Sequence, residues 1–479
     1  MMLFVVLFPI VSALVIALLS RKGERAMGLF TVCSTALTLA VMLLCAFTRS
    51  GETVTLPIVS LSFTLDGFRC IYGTIVCFMW FVSAMLSPQY FLHHHNLGRY
   101  YAFFLLCQGF TAGVFLSAEL YTTFLFFELM SIGSYVWVAQ EETEGALHAG
   151  KTYLAIAVLG GLVTLMGLFL LEHLTGTLVI AQLGEACAAV TNRSALWAAA
   201  VCILVGFGAK AGMFPLHIWL PKAHPVAPAP ASALLSGIIA KVGVVGIIRT
   251  VYFLVGAEHL RGTWVQYAWL TLGMLTVFLG SFMGCTEKVL KKRLAYSSIS
   301  QISYILLGIF ILTPAGLVGA LLQLIFHAIA KVGMFLTAGS AIYLDDVTTM
   351  DRFRGLGRRM PVTLASFALL SLSLVGLPPF GGFHSKWQLA LAGLDGLSGA
   401  VAYLLPAVLL VSALMTAGYL FPPVMQAFFP GENAPKEPRI REPLALVLPL
   451  AVLGVLGFVL GLFGDSVVAA VQSIVSTML

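Results

Sequence analysis

Apolar runs of about twenty residues recur along the whole chain, separated by short polar segments. A helix of about 20 apolar residues crosses the hydrocarbon core of a bilayer. On that rule the pattern predicts an all-α integral membrane protein with fourteen transmembrane spans, at 2–20, 27–47, 70–88, 100–118, 120–139, 152–172, 195–213, 229–254, 264–284, 293–312, 315–344, 361–393, 399–427 and 443–466. Two spans are interrupted. Span 7 runs into a proline-rich stretch from Pro215 to Pro230, and span 12 is broken by Gly376-Leu-Pro-Pro-Phe-Gly-Gly382. Irregular backbone at membrane depth is tolerated only where it is buried in protein or lines a polar cavity. The first run is not read as a signal peptide, because no basic residue precedes it and no small-x-small site follows.

The polar remainder sharpens this reading. Only 46 of 479 residues are charged and 60% are apolar. A soluble domain carries about 25% charged residues, so a soluble enzyme, a disordered chain and a nucleic-acid binder are excluded. Seventeen Lys and Arg fall in loops on the side of Arg21, among them Arg352, Arg354, Arg358, Arg359 and Lys436, against Arg49, Arg69, Arg193 and Arg261 on the other. Such a bias marks the cytoplasmic side, and it places both termini on the non-cytoplasmic side of a prokaryotic plasma membrane. The eight cysteines form no C-x-x-C pair, so no iron–sulfur, zinc or haem framework is expected, and no cofactor or metal is assigned to the chain. No glycine-rich nucleotide motif, serine–histidine–acid set or paired-carboxylate site is found either.

Subtracting the loop cations leaves five in the spans: Lys210, Lys241, Arg249, Lys331 and Lys386. Arg249 lies near a helix end, from which a long side chain can snorkel. The lysines sit deep, and Glu128 is the intramembrane acid. Each charge at mid-bilayer costs about 2.5–3.5 kcal/mol, and an ion pathway is the default explanation for such groups. Ser131 and Tyr135 follow Glu128 at i+3 and i+7, on its helix face. Lys210 stands among Gly206, Gly208 and Gly212, next to the break. Gln323, His327 and Lys331 form a stripe at i, i+4, i+8, and a histidine with an ordinary pKa of about 6.5 suits proton passage. Lys386 follows the double proline; His384, two residues before it, points to another face. His217 and His224 sit at the cytoplasmic end, where water would satisfy them. Desolvation disfavours the charged form of an amine. A carboxylate about 4 Å away favours it by about 4 kcal/mol at an effective dielectric of 20. Motion of Glu128 relative to Lys210 could therefore load and unload the lysine.

The two broken helices lie five spans apart, the spacing of an inverted repeat with broken helices. The chain then divides into helices 1–3 (1–99), a first five-helix unit (100–258), a second, inverted one (259–430) and helix 14 (431–479). Span 13 has no counterpart of Lys241, and span 10 has none of Glu128.

At these residues the sequence resembles the antiporter-like membrane subunits shared by respiratory complex I, membrane-bound energy-converting hydrogenases and Mrp-type sodium/proton antiporters. The resemblance rests on Phe126-Phe-Glu128-Leu-Met, on Gly208-Ala-Lys210 through Trp219-Leu-Pro221 to Ala233, and on Lys292-Arg-Leu-Ala-Tyr296-Ser-Ser. His327-Ala-Ile-Ala-Lys331 and Gly376 to Trp387 complete it. It implies two half-channels joined along a hydrophilic axis: a Glu128–Lys210 pair, Lys241 as a bridge, His327 and Lys331 on the axis, and Lys386 as the terminal lysine. It also implies partner membrane subunits, homologous antiporter-like ones included, with iron–sulfur redox subunits if the complex is redox-driven. About a dozen residues follow span 14, too few for the long lateral helix of the distal complex I subunit, which points to a hydrogenase-type, Mrp-type or intermediate subunit. Three readings follow: a proton-translocating subunit of a redox-driven complex, a cation/proton antiporter module without a redox partner, and a scaffold whose polar axis only joins helices. The chain has no redox site of its own, so any enzymatic activity would belong to the complex.

Overall fold

The computed structural model describes residues 1–48, 51, 53–56, 60–92, 94, 96–431 and 438–479. Arg49 and Lys436, counted above among the loop cations, lie outside the described residues.

The described chain is nearly all helical. Its elements are α1 (Met2–Leu19), α2 (Glu24–Thr48), β1 (Thr53–Leu56), β2 (Leu61–Thr64), α3 (Gly67–Tyr90), α4 (Leu97–Leu116), α5 (Leu120–Val138), α6 (Glu144–Thr175) and α7 (Ile180–Ala189). Then come α8 (Arg193–Ala211), α9 (Trp219–Val226), α10 (Ala229–Leu234), α11 (Ala240–Ile248), α12 (Ala257–Leu260), α13 (Trp264–Thr286), α14 (Leu290–Phe310) and α15 (Pro314–Asp345). The last are α16 (Leu356–Arg359), α17 (Pro361–Val375), α18 (Gly381–Gly396), α19 (Ala400–Phe428), α20 (Leu444–Leu462) and α21 (Gly464–Met478). Among the described residues, ten helices are long and apolar enough to cross a membrane. Every segment expected to span contains a helix. Four of the fourteen expected spans fall outside the ten: α4 and α5, α14, whose face from Lys291 to Ser303 is polar, and the broken pair α17 and α18, of 15 and 16 residues.

Two helices form the centre. One is α15; the other is the continuous 27-residue helix Ala229–Val255, built from α10, a π-helical turn Leu235–Ile239, α11 and a second π-helical stretch Arg249–Val255. The apolar window of each is buried throughout. Around them pack α8 against α11, and α3, α14, α17, α18 and α20 against α15. Both breaks have one cause. The α8 helix stops at Gly212 (φ 75°) and α17 at Gly376 (φ 89°), each in the left-handed region that favours glycine. Prolines then follow, with no N–H to continue the ladder.

The short β1–β2 hairpin, paired antiparallel from Thr53↔Thr64 to Leu56↔Leu61, and the helix α7 fall between expected spans. The hairpin buries Leu61 and Phe63 beside the start of α5.

Arg249 does not snorkel. It is 3% exposed, and its guanidinium donates to the carbonyls of Val114 (3.1 Å), Phe115 (3.1 Å) and Ser117 (3.2 Å) and to Ser117 Oγ and Thr123 Oγ1 (2.7 Å each). It thus caps the C-terminus of α4, where helix carbonyls lack partners and the dipole is negative. Arg69, counted above as a loop cation, is buried beside it and donates to the same Ser117 carbonyl. Lys291 and Arg293, two of the seventeen counted as loop cations, are likewise buried in α14. Arg249→Met should destabilise the chain by about 1–3 kcal/mol, the cost of orphaned buried acceptors. A lower unfolding midpoint in detergent would show it; an unchanged midpoint would mean the cap is redundant.

Candidate functional site: a buried row of amines and imidazoles

The first group surrounds the α8 break. Lys210, in the last turn of α8, is 3% exposed. Its Nζ donates to Ser131 Oγ at 3.0 Å and to Tyr153 OH at 2.5 Å, and lies 4.6 Å from the Tyr153 ring centre. Ser134, one turn after Ser131 on α5, completes the cradle with a 2.6 Å bond to Tyr153 OH. Glu128 is near enough to act on Lys210 through space, but no ion pair within 4 Å joins them among the described residues. Instead Oε1 of Glu128 is buried without a hydrogen-bond partner, and the carboxylate packs on Gly161 of α6. The pair suggested by the sequence is therefore an open one: hydroxyls hold the amine, and one carboxylate oxygen has no hydrogen-bond partner. A buried carboxylate oxygen is costly without a donor.

A methyl group at Gly161 would overlap that carboxylate. Gly161→Ala should therefore displace the Glu128 carboxylate, which a density map of the variant would show; a carboxylate left in place would mean that α6 gives way instead.

The second group lies between the two central helices. Lys241 is fully buried and donates to the carbonyls of Ser236 (3.0 Å) and Gly237 (2.5 Å). Both belong to the π-helical turn, whose wider ladder gives a buried amine acceptors that a regular helix would keep for itself. Lys331 is also fully buried and donates to Leu294 O of α14 at 3.0 Å. His327, one turn before it on α15, is 1% exposed, and neither ring nitrogen has a partner. It lies within electrostatic reach of Lys241, Lys331 and Lys386 together.

The third group surrounds the α17–α18 break. Half-buried Lys386 turns back onto the end of α17 and donates to Leu374 O and Val375 O, both at 2.7 Å, with Nζ 5.2 Å from the Tyr304 ring centre. The cation sits where the helix dipole is negative. His327 and Lys386 line one cavity with about 10 Å³ of room for a water centre, close to the minimum for one molecule, about 10–15 Å³. Two other lining residues belong to a polar chain: Gln323 donates to Gln301 Oε1 at 2.8 Å and accepts from Ser385 Oγ at 2.6 Å. Gln323 therefore belongs to this group. His384 does not, since its Nε2 lies 3.0 Å from Gly461 O on α20.

The sequence reading of His224 is corrected here. It is 0% exposed, stacks on Phe335 (4.7 Å between centres), and has no partner on either nitrogen. The reason is the break: α9 turns inward after Gly212 and packs against α6 and α14. His224 lies within reach of Lys331 and of Lys291, whose Nζ donates to Ala227 O at 2.9 Å. His217 is half-buried with Nδ1 enclosed. Tyr153, Gln301 and Ser385 were also not singled out in the sequence. The density of Ser297, Ser298, Ser300, Gln301 and Ser303 in an otherwise apolar helix was the available signal.

A bundle of long apolar helices, two of them broken beside lysines, defines a multi-pass membrane protein. Residues 117–416 match a family model described as NADH:quinone oxidoreductase/Mrp antiporter, TM. The chain is 33% identical to NADH-quinone oxidoreductase subunit N of Desulforudis audaxviator over 387 residues, 78% of this chain and 76% of that one. It is 30% identical to an Na(+)/H(+) antiporter subunit of Alkalihalophilus pseudofirmus over 368 residues, 77% and 73% of the two chains. In fold it matches a chain of the Mrp complex from a Dietzia species with a TM-score of 0.87 at 23% identity, covering 99% of this chain and 97% of that one. A chain of respiratory complex I from Thermus thermophilus matches at 0.85 and 23%, covering 100% and 98%. The chain belongs to the NADH:quinone oxidoreductase/Mrp antiporter family of membrane subunits.

Proposed function

We propose that this chain moves protons as one subunit of a multi-subunit, redox-driven membrane complex. The observation that carries the reading is the row of titratable groups from the buried Lys210, Lys241, Lys331 and His327 to the half-buried Lys386, with imidazole nitrogens and the Glu128 oxygen left without protein partners. Buried polar atoms without partners call for water, and lysine, histidine and water are groups that take up and release protons. In this reading the fourteen predicted spans cross the membrane, with the breaks at Gly212 and Gly376 at equivalent places in two inverted five-helix units. Glu128, Lys210 and Lys241 serve the first unit. Lys331, His327 and Lys386 serve the second. Lys291 and His224 connect Lys331 to the Arg352–Arg359 side, which the charge bias makes cytoplasmic. Iron–sulfur and other redox groups would sit on partner subunits.

The likeness to an Na(+)/H(+) antiporter subunit favours a second reading, a cation/proton antiporter module without redox partners. Purification of the tagged chain from its native membrane separates the two. The first reading expects co-purifying iron–sulfur subunits and acidification of vesicles driven by electron transfer. The second expects only membrane subunits, with proton movement driven by a cation gradient.

A further inference from the structure

Away from this row, a pocket of about 300 Å³ opens at the end of the bundle where the β1–β2 hairpin lies, at the lower bound of ligand sites, about 300–1,000 Å³. Its walls are apolar, formed by Val245, Ile248, Phe253, Ile474 and Met478, and Arg69, Arg249 and Asp66 also line it. The two arginines are 8% and 3% exposed. Asp66, which accepts from Arg69, is the acid within reach of Arg249 among the described residues. Two buried guanidinium charges thus face one carboxylate. An uncompensated buried charge is expensive. The bonds made by the two side chains leave Arg249 Nε–H and one hydrogen on each Nη of Arg69 without an acceptor among the described residues.

The borders of the pocket point to its depth in the membrane. The helices α7 and α21 each contribute a wall and are amphipathic: α7 buries Ile180, Leu183 and Cys187 and exposes Gln182 and Glu185. The buried face of α21 is Val468, Val471, Ile474 and Val475, and its exposed face includes Gln472, Ser473 and Ser476. Both pack on the protein by their apolar faces at the end of the bundle where α3 begins and α4 stops, which is the headgroup level if these helices span the membrane. An excess of positive charge and apolar walls at that level match a molecule with an anionic head and a hydrocarbon chain. We propose that the pocket binds an acidic phospholipid, its phosphodiester on Arg69 and Arg249 and the start of one acyl chain against Ile248, Phe253 and Ile474. The free hydrogen on each Nη of Arg69 can fork onto the phosphodiester, while the preference for an acidic lipid comes from net charge, because a choline cation would be repelled by two buried guanidiniums that face one carboxylate.

The test uses the full chain in its native complex, extracted in mild detergent, delipidated, and mixed with dioleoyl phosphatidylglycerol or dioleoyl phosphatidylcholine. Retained lipid is read by native mass spectrometry. Phosphatidylglycerol should be retained over phosphatidylcholine by roughly tenfold, equivalent to about 1.4 kcal/mol. Arg69→Met should remove that preference. Ala181→Trp, which adds bulk at an exposed position on the rim without touching the core, should do the same. Tyr403→Ala, on the lipid-facing surface at 74% exposure, should leave it unchanged. If Arg69→Met fails to fold, Ala181→Trp decides. Equal retention of the two lipids, wild-type retention by Ala181→Trp, or displacement of phosphatidylglycerol by millimolar inorganic phosphate would overturn the proposal.

Discussion

Replacing Lys386 by alanine should leave the complex assembled and reduce its proton flux by on the order of a hundredfold, the scale of a positioned proton-transfer group. Assembly should survive because the substitution removes a charge whose membrane burial costs about 2.5–3.5 kcal/mol. It also enlarges a cavity whose room, about 10 Å³, is close to the minimum for one water molecule. The decisive companion is Lys386→Arg. Arginine keeps the positive charge and can still donate to the Leu374 and Val375 carbonyls that hold the amine, but it does not release a proton in a protein. If Lys386 carries protons, the arginine variant is as inactive as the alanine one. If it only ties α18 to the end of α17, arginine restores flux. Flux in proteoliposomes containing the purified complex distinguishes these outcomes.

Lys210→Ala should have a comparable effect, with an additional signature. The amine joins Ser131 and Tyr153, and Ser134 already bonds to Tyr153, so the hydroxyl cluster persists without it. The packing of α5, α6 and α8 should therefore hold, and the unfolding midpoint of the complex should not fall. Flux should fall about a hundredfold. Glu128→Gln should then be nearly silent in the Lys210→Ala background although it is damaging alone, because the acid acts through the amine. Additive losses in a double-mutant cycle would show the two groups working independently. Wild-type flux in Lys210→Ala would reduce this cluster to a helix joint.

How far the sequence reaches can be seen residue by residue. Span positions were legible because a twenty-residue apolar run has few other uses. The deep lysines were legible because charges are scarce enough to be assigned by subtraction. Position along the chain was a poor guide to depth beyond a break. His224, Lys291 and Arg293 looked like surface groups near a loop, yet α9 folds inward and α14 starts inside the protein, so all three are buried. Arg249 was misread for a related reason. Its acceptors come from α4, more than 120 residues earlier, and no local pattern reveals a carbonyl cluster formed by a distant helix end. The open geometry between Glu128 and Lys210 depends on Tyr153, an aromatic residue in an apolar helix that reads as ordinary core until the fold places its hydroxyl on the amine.

If water joins these buried groups into one path, a density map of the intact complex, sharp enough to show ordered solvent, should have water on Glu128 Oε1, on both ring nitrogens of His327, and in the cavity shared by His327 and Lys386. Dry apolar packing around those atoms, with the lysines held only by their carbonyl and hydroxyl partners, would rule the path out.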